Sequence, residues 1–143
     1  MVLVDGQGTP LGVHLDSASP AEVRLLEKTL DSVSIRRAHR PGRPRKRPDR
    51  LIADRAYDSN AAREDLVRRG IEPIIPCRSN NKVATHQDGR KLRRYRHRWK
   101  VERSISWLFH FRRLVVRYEH DVTIFTGLVH LACALVAMRT VMK

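Results

Sequence analysis

Asp54 and Glu102 are the two residues of this chain whose setting most suggests shared chemistry. Leu51-Ile52-Ala53 is an apolar run that ends in Asp54, the pattern of a buried strand delivering a carboxylate at its C-terminal end. Glu102 lies in YRHRWKVERSISWLFHFRRL, from Tyr95 to Leu114, a stretch with neither Gly nor Pro. Tyr95, Arg98, Glu102, Ile105 and Phe109 fall at i, i+3, i+7, i+10 and i+14, one stripe of a helix. Two carboxylates on converging elements bind Mg²⁺ or Mn²⁺, which prefer oxygen ligands. A pair of such ions about 3.5–4 Å apart activates a water or a 3′-hydroxyl and stabilises the leaving oxygen of a phosphodiester. Arg98, one turn before Glu102, is placed to contact a phosphate. A plainer reading is a basic amphipathic helix whose lone acid pairs with Arg98 at i,i+4 or with its neighbour Arg103. The residue pattern leaves both readings open.

The composition favours a polyanionic partner. The 143 residues suit one domain with one core, and 41% are hydrophobic. The formal net charge is +14, so nucleic acid is the default partner and binding should weaken steeply with salt. Aromatic residues make up only 6%, too few for the stacking surface of an RNA-binding module. Cys77 and Cys133 form no CxxC pattern and read as reduced thiols, Cys133 buried. His97, His110, His120 and His130 make no HxxxH or Cys/His cluster, which excludes a zinc site. The opening MVLVDGQG carries neither the basic nor the apolar region of a signal peptide. Val122 to Met138 is uncharged but shorter than the roughly 20 apolar residues of a membrane span, so it reads as a buried helix.

The remaining elements must position the two acids. Val2–Asp5 and Leu11–Leu15 read as a β-hairpin around Gly6-Gln7-Gly8. Ser19 (N-cap), Pro20 and Glu22 start a helix whose apolar face is Val23, Leu26, Leu30 and Val33. Three prolines, one glycine and eight Arg or Lys between Arg36 and Arg50 make a basic loop that suits phosphate contact, Arg43, Arg45, Lys46 and Arg47 at its centre. After Asp54, Asp58 or Ser59 caps a helix over residues 60–69, with Ala62, Leu66 and Val67 facing inward and Gly70 as its stop. Ile71 to Ile75 is a second strand, so the middle of the chain reads as a parallel βαβ unit. Arg78 to Arg90 is a polar loop, and a long helix then runs from about Lys91 to Tyr118. His120-Asp121 breaks that helix. A last apolar helix, residues 122–141, packs under the sheet. Trp99 and Trp107 lie off the Glu102 stripe and read as core.

Several strings resemble one family in order and spacing. LIADRAYDS resembles the segment around the second acidic position of bacterial insertion-sequence DDE transposases, the group related to the type-four and type-five elements. RGIEPIIPCRSNNK is similar to the segment that follows it, and VDGQGTPLGVHLDSASPAE to the preceding hairpin and helix. Tyr95, Arg98 and Glu102 match the signature Y-x2-R-x3-E-x6-K. The resemblance implies an α/β, ribonuclease-H-like mixed sheet with flanking helices over residues 1–143, a single catalytic domain. It implies Asp54 and Glu102 as catalytic metal ligands for Mg²⁺ or Mn²⁺, and Tyr95 and Arg98 as DNA contacts. It implies metal-dependent strand cleavage and strand transfer on element-end and target DNA, in the bacterial cytoplasm at the nucleoid, with no membrane partner and a homodimer left open.

Two departures qualify the match. The signature's Lys falls on Phe109, so its DNA contact is missing or passes to Arg112 or Arg113. The family's first catalytic Asp lies on a central strand before the hairpin that begins this chain. Asp5 and Asp16 sit at the turn and far end of that hairpin, not at the matching position, and Asp58 reads as a helix cap. The expectation is a catalytic domain truncated at its N-terminus and inactive as an isolated chain. It would be the second frame of a frameshifted element or the remnant of a decayed copy. The competing reading is a non-catalytic basic DNA-binding fragment that competes at element ends. It needs only the basic residues, whereas catalysis needs Asp54 and Glu102.

Overall fold

A computed structural model describes residues 1–17, 21–36, 42–79 and 89–142. Ser19, Pro20, residues 37–41 of the basic loop and residues 80–88 of the polar loop lie outside the described residues. The chain opens with β1 (Val2–Val4) and β2 (Pro10–Val13), an antiparallel hairpin. Asp5 Oδ1 closes its turn by accepting the Gln7 and Thr9 N–H groups at 2.7 and 2.8 Å. A 3-10 turn (Glu22–Arg24) leads into α1 (Leu25–Asp31), which buries Leu25, Leu26 and Leu30 as its periodicity requires.

The predicted βαβ unit forms. β3 (Arg50–Ile52) and β4 (Glu72–Ile74) pair in parallel, and α2 (Asn60–Arg68) connects them. Ser59, not Asp58, caps α2, accepting the Ala62 N–H. Val67 faces solvent at 61% exposure, contrary to its predicted inward position, and Arg63 takes the inner face with Leu66. In the described part of the basic loop, Arg45 forms an antiparallel bridge with Ile35 and pairs with Asp49.

The long helix predicted from Lys91 to Tyr118 is broken into pieces. These are α3 (Gly89–Leu92), a 3-10 segment (Arg93–Arg98), α4 (Trp99–Phe109) and α5 (Arg112–Val115). Phe111 is extended (φ −85°, ψ 103°), which turns Phe111 and Leu114 onto the final helix, α6 (Val122–Val141). Asp121 caps α6 by accepting the Thr123 N–H at 2.7 Å.

Two apolar clusters hold these pieces. Leu26, Leu30, Leu51, Leu66, Ile71 and Ile75 form one, with Leu3, Ala53 and Tyr57 against it. Leu108, Ala132 and Val136 form the other, joined by Val2, Trp107, Phe111 and Leu114. The two β-pairs share no ladder among the described residues.

The prediction that α6 is buried is corrected. Its Val129, Ala132 and Val136 are buried, while Ile124, Leu131, Leu135 and Met138 are exposed. By length and composition alone this helix could cross a membrane, but it packs on β2, α4 and α5. Cys133 is half-buried, and burial raises its thiol pKa; both cysteines are free thiols.

Glu72 fastens the basic segment to β4. Its carboxylate meets Arg50 at 2.8 Å, Lys91 at 3.1 Å and Arg94 at 3.8 Å. The Lys91 hydrogen bond, then Arg50, holds its pKa below the ordinary carboxylate value. A lowered folded-state pKa stabilises above the unfolded value, about 4.3, and that stability is lost as pH falls through the folded one. Glu72→Gln should therefore lower stability at neutral pH by up to about 1 kcal/mol, the range for an exposed network. Melting curves against pH should show the two proteins converging as pH falls through the unfolded and then the lowered folded value.

Candidate active site

Asp54 stands two residues beyond β3, in extended conformation (φ −80°, ψ −179°), and is half-buried. Its Oδ1 accepts the Ala56 N–H at 2.8 Å and so caps a 3-10 turn, Arg55–Tyr57. The turn is held from several sides. Tyr57 packs on the first core cluster, and burial, then the Glu22 carboxylate beside it, pushes its phenol pKa well up. Arg78 donates from Nε to the Arg55 carbonyl at 2.7 Å and from Nη2 to the Ala56 carbonyl at 3.3 Å.

Asp58 is not the helix cap its position suggests. Its side chain is fully buried against that of Arg63, itself 2% exposed. Asp58 Oδ1 accepts Arg63 Nε at 3.2 Å and Nη2 at 2.8 Å, while Oδ2 accepts the Arg78 backbone N–H at 2.6 Å. Arg63 Nη2 also donates to the Ile75 carbonyl at 2.8 Å. One buried ion pair thus ties the start of α2 to the chain leaving β4. Sequence reasoning missed Arg63. The available signal was an Arg three residues before Leu66, on the inner stripe of a helix, with an Asp just upstream.

Glu102 lies in the first turn of α4 with its side chain 54% exposed. Its Oε1 meets Arg98 Nη2 at 2.7 Å, the i,i+4 pair anticipated from the spacing. Arg98 also stands 5.8 Å from the Tyr95 ring centroid. Three side chains of α4 seize consecutive carbonyls of the hairpin tip. Lys100 takes Gly6, Arg103 takes Gln7 at 2.6 Å, and Ser104 takes Gly8 at 2.6 Å. Gly8 has φ +89°, and a Cβ there would sit 3.0 Å from Ser104 Oγ. Trp99 and Trp107 are not both core as expected. Trp99 is exposed, and the Arg103 guanidinium lies 4.8 Å from each of their ring centroids.

The 3-10 segment before α4 packs on β3, and α4 packs on β1. Among the described residues no hydrogen bond or ion pair links the two acids. Nor do three or more His, Cys, Asp or Glu gather into a metal-ligating group there. The donor type suits a hard cation, but only two carboxylates are offered and one is held by Arg98. Of the predicted DNA contacts, Arg43, Lys46 and Arg112 are exposed. Arg47 donates to the Arg69 carbonyl at 2.9 Å, and Arg113 pairs with Glu119 at 2.7 Å. Phe109, where the signature has Lys, is 60% exposed.

The sequence matches the transposase DDE domain family over residues 1–137. The chain belongs to that family. This DDE domain is 37% identical over 142 residues to a Burkholderia cepacia protein named as the transposase of insertion sequence element IS402. That similarity covers 99% of the chain and 63% of the relative. A Brucella ovis protein named for element IS6501 is 34% identical over 93 residues, covering 62% of the chain and 67% of the relative. The DDE domain thus spans under two-thirds of the first relative's length. No solved structure matches it.

Proposed function

We propose that this DDE domain is the part of an insertion-sequence transposase that carries the second and third acids of its active centre. The carrying observation is the family match over residues 1–137, which includes both Asp54 and Glu102. In this reading Asp54 and Glu102 hold Mg²⁺ or Mn²⁺, the ion supplying Lewis acidity at the scissile phosphate for strand cleavage and strand transfer. Arg98 holds Glu102 until it turns to a DNA phosphate, and Tyr95 stacks beneath it. Arg43, Arg45, Lys46, Arg47, Arg112 and Arg113 bind the backbone of element-end and target DNA, which places the protein at the bacterial nucleoid.

The separate β1–β2 and β3–β4 ladders, both packed on the first core cluster, support a ribonuclease-H-like sheet completed by a further central strand. That strand would bring the remaining acid, so the 143-residue chain alone is expected to bind DNA without cleaving it. The exposed α6 stripe supports pairing of two copies. Ile124, Leu131 and Met138 recur at heptad spacing, interleaved with Leu128, Leu135 and Met142.

The test is cleavage of terminal-repeat DNA in Mg²⁺ by the chain alone and by a protein extended to a relative's full length, with sedimentation reading the pairing. The extended protein should cleave, and both Asp54→Ala and Glu102→Ala should abolish turnover while DNA binding persists. Cleavage by the chain alone that vanishes in Asp54→Ala would overturn the need for a further acid. Activity of the extended protein that survives both changes would favour the second reading, a non-catalytic DNA-binding fragment. The Arg98–Glu102 pair and the missing three-acid cluster among the described residues speak for that alternative.

A further inference from the structure

The turn that presents Asp54 has both of its polar edges occupied. Asp54 takes the N–H of Ala56 with one oxygen, and Arg78 takes the carbonyls of Arg55 and Ala56 with two donors of one guanidinium. The main chain at Arg78 is anchored, because its N–H is bound by Asp58 Oδ2 at 2.6 Å. Asp58 in turn is fixed by the buried fork of Arg63, which also holds the Ile75 carbonyl. A rigid line therefore runs from the helix after the acid, through the strand beside it, back to the acid's own turn. Arg78 is the exposed end of that line.

From this geometry we infer that Arg78 is a positioning residue for Asp54: its fork on the Arg55 and Ala56 carbonyls sets the aim of the Asp54 carboxylate toward a divalent cation. This rests on the reading of Asp54 as a metal ligand. A planar five-donor fork can bridge two successive carbonyls, whereas a lysine ammonium is a compact charge that does not reproduce the planar fork. With Arg78 truncated, both carbonyls turn to water, the turn loosens, and the carboxylate samples directions useless for coordination. Groups that orient a metal ligand typically change affinity by about 10–100-fold when removed.

The sign of the effect separates positioning from simple electrostatics. Arg78 is a cation near the acid, so deleting its charge by itself should tighten binding of Mn²⁺. Positioning predicts the reverse. The experiment titrates Mn²⁺ into the full chain and reads free ion by electron paramagnetic resonance, for wild type, Asp54→Ala, Arg78→Ala and Arg78→Lys. Melting curves are taken on the same samples. Asp54→Ala should remove the site. Arg78→Ala should weaken it about 10-fold, with Arg78→Lys between the two and little change in melting temperature. Mn²⁺ affinity that is unchanged or tighter in Arg78→Ala, with Asp54→Ala still deficient, overturns the inference alone. Affinity insensitive to Asp54→Ala overturns the metal-ligand reading and the inference with it.

Discussion

Arg63→Ala is expected to destabilise the protein by about 3–5 kcal/mol, the usual loss when one member of a buried ion pair is removed. Three consequences add up. Asp58 keeps a charge in a fully buried position with its principal partner gone. The Ile75 carbonyl, at a residue with 0% exposure, loses its bond from Nη2. A cavity opens beside Leu66 in the place of a long side chain. Against a typical stability of about 5–15 kcal/mol, that is a large share. Urea or guanidinium unfolding of wild type and variant measures it. A matched apolar replacement of both residues, Asp58→Leu with Arg63→Met, should recover the part due to the unpaired buried charge, while the Ile75 carbonyl and the Arg78 N–H stay without these partners. A loss below about 1 kcal/mol in Arg63→Ala would mean the pair behaves as a solvated surface bridge.

Gly8→Val should cost roughly 3 kcal/mol and act on the other half of the protein. A non-glycine residue held at positive φ is strained by about 1–3 kcal/mol, and a β-branched side chain suffers most. Crowding adds to this, because even the first added carbon would lie 3.0 Å from Ser104 Oγ and 3.1 Å from Arg103 Nη2. The buried Ser104 hydroxyl would then lose its short bond to the Gly8 carbonyl. The damage should be local to the hairpin tip and the start of α4, where Glu102 sits. Amide hydrogen exchange should therefore rise across residues 5–9 and 100–104, while the β3–α2–β4 unit keeps its protection. Equal loss of protection in both regions would show that the two halves unfold as one unit.

Much of this architecture is legible locally. Alternating and β-branched residues around a Gly-rich turn specify the β1–β2 hairpin without help from elsewhere. Ser59 ahead of Asn60 to Arg68, Gly70 after it and an apolar run on either side specify a strand–helix–strand unit, and the parallel pairing follows from its connection length. The Arg98–Glu102 pair follows from spacing of four on a helical turn. The candidate acids themselves stood out by type and place: Asp54 closing an apolar run, Glu102 alone among arginines.

What the one-dimensional pattern could not convey is which contacts override local preference. Tyr95 to Leu114 has helical spacing and no breaker, yet it is interrupted at Phe111, because Phe111 and Leu114 bury themselves against α6. Arg63 carries a charge on a stripe where periodicity asks for an apolar side chain; Asp58, the Ile75 carbonyl and Cys77 Sγ, the last two brought from the chain beyond β4, accept from its guanidinium. Lys100, Arg103 and Ser104 look like surface residues until the hairpin tip, nearly a hundred residues earlier, presents three carbonyls to them. Side-chain type and short-range spacing suffice for the hairpin, the β3–α2–β4 unit and the charge, and they single out the two candidate acids. Tertiary structure decided how the acids are held, since hydrogen bonds between distant segments depend on a shape no local pattern encodes.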